Sequence, residues 1–214
     1  MDEKALCGPE DCGPIRGLDM KTVYFMRHGQ TDWNIGRRLQ GQMDVPLNEA
    51  GRAQAREAAE RFAAAPLRFD LVISSPLDRA VETAVLATGL PREAIRLDPR
   101  LLEIGYGPYE GAAFADLEGD MLSFIRDPDH CPPPEGVETI AALLDRAASF
   151  LADLRALEAD TVLAVTHGVA IRAILGCLNE GERSMVWGMP VHNCQLLETR
   201  LENGVFSPAV LWEG

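Results

Sequence analysis

The sequence predicts an α/β fold: a three-layer sandwich with a mostly parallel central sheet, helices on both faces and an irregular cap over the carboxyl ends of the strands. Three observations predict it. Short β-branched and apolar runs alternate with longer stretches of helical periodicity, the pattern of a parallel sheet covered on both sides. Two of the runs, 22–26 and 161–166, end alike, one in Arg27-His28-Gly29 and the other in His167-Gly168. The chain then closes on two strand-like segments around Glu202-Asn203-Gly204, a hairpin signal that places an antiparallel edge on the sheet.

Residues 1–20 are rich in Gly, Pro and charge and read as a flexible extension. Residues 21–214 read as a single domain, a size that one core can serve. The strand at 22–26 opens it. From Thr31 to Asn48 the chain is polar and glycine-punctuated, a loop with one helical turn. A helix starts at Asn48, its N-cap, and runs to Ala65. Leu71-Val72-Ile73 is a short buried strand ending at Ser74-Ser75-Pro76, and Pro76 suits the first turn of a helix at about 77–88. Ile95-Arg96-Leu97 reads as a further strand.

The stretch 103–136 has no clean periodicity and contains Gly105, Gly107, Gly111, Gly119 and Pro132-Pro133-Pro134. A loop of that length is usually a lid or a substrate wall, and about 104–136 is assigned as the cap. Helical spacing returns at about 138–157 through Ile140, Leu143, Leu144, Ala147, Phe150, Leu151 and Leu154. A strand at 161–166, a helix at about 168–178 and strands at about 194–200 and 205–211 complete the chain.

Composition narrows the partners. At 47% hydrophobic and 25% charged, the chain can bury a sizeable core. A net charge of -13 argues against nucleic acid or an anionic membrane surface, both of which need a basic footprint. A small anion is still admissible, because a local arginine pocket overrides the global field. The five cysteines are an odd number in a chain that is not disulfide-dense, as in a reducing compartment. No signal-peptide pattern and no bilayer-length apolar run is present, so the expected location is the cytoplasm. A monomer or homodimer is expected.

In an open α/β sheet, ligands bind outside the carboxyl ends of the strands. Both histidines should therefore reach one crevice. Four stretches converge there: Arg27 to Asn34, Ser74 to Ala80, Leu102-Glu103 and Thr166-His167-Gly168. They supply two arginines, two histidines and a carboxyl group. Phosphoryl transfer needs charge stabilisation on the equatorial oxygens and an in-line nucleophile. Neutral imidazole can be that nucleophile, two guanidinium forks can hold the oxygens, and a carboxyl group can protonate the leaving oxygen.

With these residues in order, the sequence resembles the histidine phosphatase superfamily, also called phosphoglycerate mutase-like. The resemblance spans most of residues 22–200. It includes Arg27-His28-Gly29, Thr31, Trp33-Asn34, Arg38-Leu39-Gln40-Gly41, Asp44, Pro46-Leu47 and Gly51. It continues through Ser74-Ser75-Pro76, Arg79-Ala80, Glu82-Thr83, Glu103, Gly107, Glu110-Gly111 and His167-Gly168. The resemblance implies a phosphohistidine on His28. Arg27, Arg79 and His167 would line the phosphate pocket, Asn34 would add a side-chain donor, and Gln40, Gly41 and Gly168 would border phosphate or substrate. Glu103 would be the general acid and then the base for water. No metal and no cofactor are implied; the implied partner is a small phosphorylated metabolite.

Within that family the phosphatase-type branch fits better than the cofactor-dependent mutases. Mutases follow the general acid with a longer segment and a substrate-binding lysine. Here Glu103 is followed by the short Ile104-Gly105-Tyr106-Gly107-Pro108-Tyr109-Glu110-Gly111, and no lysine follows Lys21. Gly136-Val137-Glu138-Thr139 departs from the commoner Gly-Gly-Glu-Ser. A mutase and a non-catalytic phosphate-binding protein are the alternatives.

Several residues are assigned blander roles. Asp127, Asp129, His130 and Cys131 read as a solvated loop rather than a metal site. Cys7 and Cys12 read as incidental. His192, Asn193 and Cys194 read as structural, Trp33 as packing and Arg172 as surface. Glu110 is the lesser candidate for the acid.

Overall fold

The computed structural model describes residues 20–128, 130–179 and 189–213. Residues 1–19, with Cys7 and Cys12, fall outside the described residues, and so do Asp129 and 180–188. Met20 already belongs to the first strand.

The described strands are β1 (Met20–Arg27), β2 (Leu71–Ser74), β3 (Arg96–Leu97), β4 (Thr161–Thr166), β5 (Leu196–Glu202), β6 (Val205–Phe206) and β7 (Val210–Leu211). They form one mixed sheet in the order β3-β2-β4-β1-β5-β6, with β7 also paired to β5. The first four strands are mutually parallel, and β5 joins β1 antiparallel, making the expected antiparallel edge. The helices are α1 (Asp32–Ile35), α2 (Glu49–Ala64), α3 (Asp78–Thr88), α4 (Gly119–Arg126), α5 (Ile140–Ala156) and α6 (Gly168–Leu178).

Alternation along β1 explains the three layers. Val23 and Phe25 face one side and join a core with Leu143, Ala147 and Phe150 of α5 and Ile171 and Ile174 of α6. Tyr24 and Met26 face the other, packing with Ala55, Ala58 and Phe62 of α2 and Ala80, Val81 and Ala84 of α3. Burial on both faces is why these strands are continuously apolar rather than alternating. Each fully buried side chain of this size contributes roughly 1.5–3 kcal/mol of transfer free energy. Asn48 caps α2 by accepting from Gly51 N at 2.9 Å.

Three local expectations need correction. The cap is not wholly irregular: α4 lies within it, with Met121 and Phe124 fully buried. Gly119 at φ 54° starts this eight-residue helix abruptly, which hides its periodicity. Pro76 stands before the N-cap, Leu77, and not in the first turn of α3. The last strand is two short ones, β6 and β7, separated at Ser207-Pro208, while β5 extends to Glu202. The turn between β5 and β6 has Asn203 at φ 52° and Gly204 at φ 80°, the pair of positive angles that the favoured hairpin turn requires. No described helix is long and apolar enough to cross a membrane.

Candidate active site

Register delivers the two histidines. The parallel pairing of β1 with β4 aligns Arg27 with Thr166, so His28 and His167 leave adjacent strand ends together. Their ring centroids are 5.1 Å apart. Gly29 lets the chain turn here because its backbone runs against Gly51 in the first turn of α2. A Cβ on Gly29 would sit 2.5 Å from the Gly51 carbonyl oxygen, and one on Gly51 would sit 2.1 Å from that of Gln30. The two glycines weld the histidine loop to α2.

His28 Nδ1 lies 2.7 Å from the Gly29 carbonyl oxygen. A carbonyl only accepts, so Nδ1 carries the proton and Nε2 keeps its lone pair. Burial, followed by the charges of Arg79 and Arg27, holds the His28 pKa well below the ordinary imidazole value. The ring is therefore neutral at neutral pH, the form a nucleophile needs.

Arg79 is fully buried. Its Nη1 donates to Met43 O at 2.6 Å and its Nη2 to Gly41 O at 2.7 Å, while Nε has no protein partner. Arg27 donates from Nη1 to Val191 O at 2.6 Å, and its Nε is likewise unpartnered. Burial lowers both guanidinium pKa values, Arg79 to about 10, against the opposing pull of Glu103. Both remain cations at neutral pH. Gly41, at φ 51°, brings the loop carbonyl to Arg79; a Cβ there would meet the Glu110 carboxylate at 2.1 Å.

Thr31 orients two amides at once. Its Oγ1 donates to Gln40 Oε1 at 3.0 Å, and its backbone N donates to Asn34 Oδ1 at 3.0 Å. Asn193 Nδ2, 3.4 Å from the same Asn34 oxygen, also donates to His28 O at 2.9 Å. With both carbonyl oxygens engaged, Asn34 and Gln40 have NH2 groups to offer the cavity.

The Glu103 carboxylate accepts from Val169 N and Ala170 N at the start of α6, its Oε1 at 3.1 and 3.0 Å. Gly168 keeps this approach close: a Cβ there would lie 3.5 Å from Arg27 Nε and 3.9 Å from Glu103 Oε2. Arg146 of α5 clasps the preceding backbone, donating to Arg100 O, Leu102 O and Glu103 O, and pairs with Glu138 at 2.7 Å. Glu110 instead accepts from Gln42 N and Tyr106 N and does not line the cavity.

The cavity is about 160 Å³ and is lined by Arg27, His28, Asn34, Gln40, Gly41, Arg79, Glu103, Gly168 and, from the cap, Tyr106 and Phe114. His167 lies one layer deeper. It is wholly buried behind His28, with Nε2 2.7 Å from Ser75 Oγ and Nδ1 without a protein partner. Burial, then Arg79, His28 and Arg27, lowers its pKa well below the ordinary value. Arg172 corrects the surface assignment: one turn into α6, it lines the cavity. Thr31, Ser75 and Arg146 carry hydrogen bonds that sequence reading did not assign. Asn193, read as packing, ties His28 to Asn34. Among the described residues no three metal-ligating side chains cluster, and His130 pairs with Asp127 at 2.9 Å. A larger cavity of about 380 Å³, lined by Phe62, Phe69, Leu86 and Leu90, shares no residue with this site.

Comparison with known proteins gives the same frame. The chain is 37% identical over 186 residues to the probable phosphoglycerate mutase GpmB of Proteus mirabilis, covering 85% of this chain and 81% of that protein. It is 34% identical over 172 residues to a glucosyl-3-phosphoglycerate phosphatase of Mycobacterium tuberculosis, covering 74% and 75%. A mutant phosphoserine phosphatase of Entamoeba histolytica, solved with phosphoserine, superposes with a TM-score of 0.75 at 30% identity, covering 89% of this chain and 94% of that one. Residues 23–212 match the model of the histidine phosphatase superfamily, branch 1, and the chain belongs to that family.

Proposed function

We propose that the protein hydrolyses a small phosphomonoester through a phosphohistidine on His28, without a metal. The observation that carries this reading is the fixed tautomer of His28: Nδ1–H bound to Gly29 O, Nε2 free, in a cavity with Arg27 and Arg79. His28 Nε2 attacks phosphorus in line with the leaving oxygen. Arg27, Arg79 and the amides of Asn34 and Gln40 hold the equatorial oxygens, a role that guanidinium forks fill without a metal. A phosphate oxygen arriving beside His167 selects the tautomer with its proton on Nδ1, where it can donate. Glu103 protonates the leaving oxygen, releasing the alcohol. It then takes a proton from the water that attacks the phosphohistidine, giving inorganic phosphate and free His28.

Relatives named as phosphatases support hydrolysis. The relative named as a probable phosphoglycerate mutase favours a second reading, in which a substrate hydroxyl replaces water. The short segment after Glu103 and the absence of lysine beyond Lys21 weigh against it. Phosphate release from a panel of phosphomonoesters, with EDTA present, tests the proposal. Release of inorganic phosphate supports hydrolysis. Phosphate retained in an isomeric organic product would establish the mutase, and no turnover by a folded protein would defeat both.

A further inference from the structure

Beside the phosphate cavity opens a second hollow of about 230 Å³, lined by Arg27, Trp33, Asn34, Arg37, Arg38 and Phe114. Four of these, Arg27, Asn34, Arg38 and Phe114, also line the first cavity, so the two are continuous. Arg37 and Arg38 are exposed, and among the described residues neither forms an ion pair. Arg38 Nη1 donates to Gly111 O at 2.7 Å, which fixes one edge of its guanidinium and leaves its other donors available. In a chain of net charge -13, two adjacent uncompensated cations at a cavity mouth form a local anion attractor.

The backbone adds a second observation. Arg37 sits at φ 48°, in the left-handed region that favours glycine. It is clamped there: Arg37 N donates to Asn34 O, Arg38 N to Trp33 O, and Phe114 N of the cap to Arg37 O at 2.9 Å. Glycine would make this turn without strain, yet the chain carries an arginine. Retained strain at a site edge points to a side chain in use. Trp33 and Phe114, the latter 43% exposed, supply apolar walls between the two charged ends.

We propose that this hollow is a subsite for a second anionic group of the substrate, so that the preferred substrate is a phosphomonoester whose short carbon body also bears a carboxylate or a second phosphate. The inference rests on the phosphatase reading above. Two probe pairs test it. Glycerol 3-phosphate and 3-phosphoglycerate differ only in an alcohol against a carboxylate. Fructose 6-phosphate and fructose 1,6-bisphosphate differ in the second phosphate. The wild type should prefer the doubly anionic member of at least one pair by about tenfold in kcat/KM, and which pair it is identifies the group. Arg37→Gly should cut that preference about three- to tenfold, chiefly through KM, without lowering the thermal midpoint. Arg37→Gly with Arg38→Met should nearly abolish it. Hydrolysis of all four esters with no preference, or a preference untouched in the double variant, overturns the subsite alone. If the double variant fails to fold, Arg37→Gly decides by itself. No phosphate from any ester in the wild type defeats the phosphatase reading and the subsite with it.

Discussion

The Ser75 hydroxyl lies 2.7 Å from Nε2 of His167, inside a wholly buried pair that joins the end of β2 to the start of α6. Ser75 Oγ also accepts from Leu77 N at 3.4 Å, so its own proton is available for His167. Ser75 thus sets the proton on His167 Nδ1 whenever an anion sits in the cavity. Ser75→Ala is expected to lower kcat about tenfold, because His167 loses the bond that fixes its tautomer. The check is kinetic and spectroscopic together: 15N shifts of His167 should show a mixed tautomer in the phosphate-bound variant. An unchanged tautomer and an unchanged kcat would reduce Ser75 to packing.

His28→Ala should leave the fold intact and remove turnover, on the order of 10⁴-fold or more, as expected for a lost nucleophile. The ring is 2% exposed but borders a cavity, so truncation enlarges that cavity rather than opening the core. Far-UV circular dichroism and acid-labile phosphoprotein trapping read the two halves. Trapping of phosphate on the alanine variant would move the nucleophile elsewhere.

Glu103→Gln separates acid catalysis from binding. Alkyl phosphates have poor leaving groups and need the proton, so their turnover should fall about 10²–10⁴-fold. Aryl phosphates leave readily and should lose much less. Equal losses on both would assign Glu103 to structure, which its bonds to Val169 N and Ala170 N could also serve.

The buried histidines also make stability depend on pH. Burial and the neighbouring arginines hold the pKa values of His28 and His167 well below the unfolded value. Above about pH 6.5 both rings are neutral in the folded and unfolded states, and this pair adds no pH dependence. Below it, the unfolded chain takes up protons that the folded protein refuses, so stability falls as pH drops. The slope is about 1.4 kcal/mol per pH unit for each histidine. Urea unfolding between pH 6.5 and 5 measures it. A His28→Gln, His167→Gln variant should flatten that slope, and an identical slope would remove the histidines as its cause.

Legibility in the sequence followed how local each cause is. The pairing of His28 with His167 was readable, because a strand end followed by a glycine fixes where a side chain emerges, and parallel register did the rest. Long helices such as α5 were readable from period alone. The helix α4 was not, since two buried residues, Met121 and Phe124, are too few to show a period. Arg172 was misread as surface because its spacing from His167 leaves the direction of the side chain to tertiary packing. The depth of His167 behind His28, and the amide network at Thr31, exist only once distant segments meet.

Arg146 is the clearest case of a site residue with no sequence signal, and it carries the last prediction. From the middle of α5 it holds the carbonyls of Arg100, Leu102 and Glu103 and pairs with Glu138, both side chains 17% exposed. Glu138 Oε2 in turn accepts from Gly105 N, so one guanidinium fixes both sides of the Glu103 segment. Arg146→Met keeps the apolar stem and removes the donors. It should cost about 2–4 kcal/mol of stability, because a largely buried carboxylate and three carbonyls lose their partner. If Arg146 acts by positioning Glu103, the variant should also reproduce, in weaker form, the leaving-group dependence of Glu103→Gln: roughly tenfold on alkyl phosphates and less on aryl ones. Lysine should rescue poorly, since a point charge cannot reach this many acceptors at fork geometry. A stability loss with equal rates on both ester classes would confine Arg146 to the scaffold.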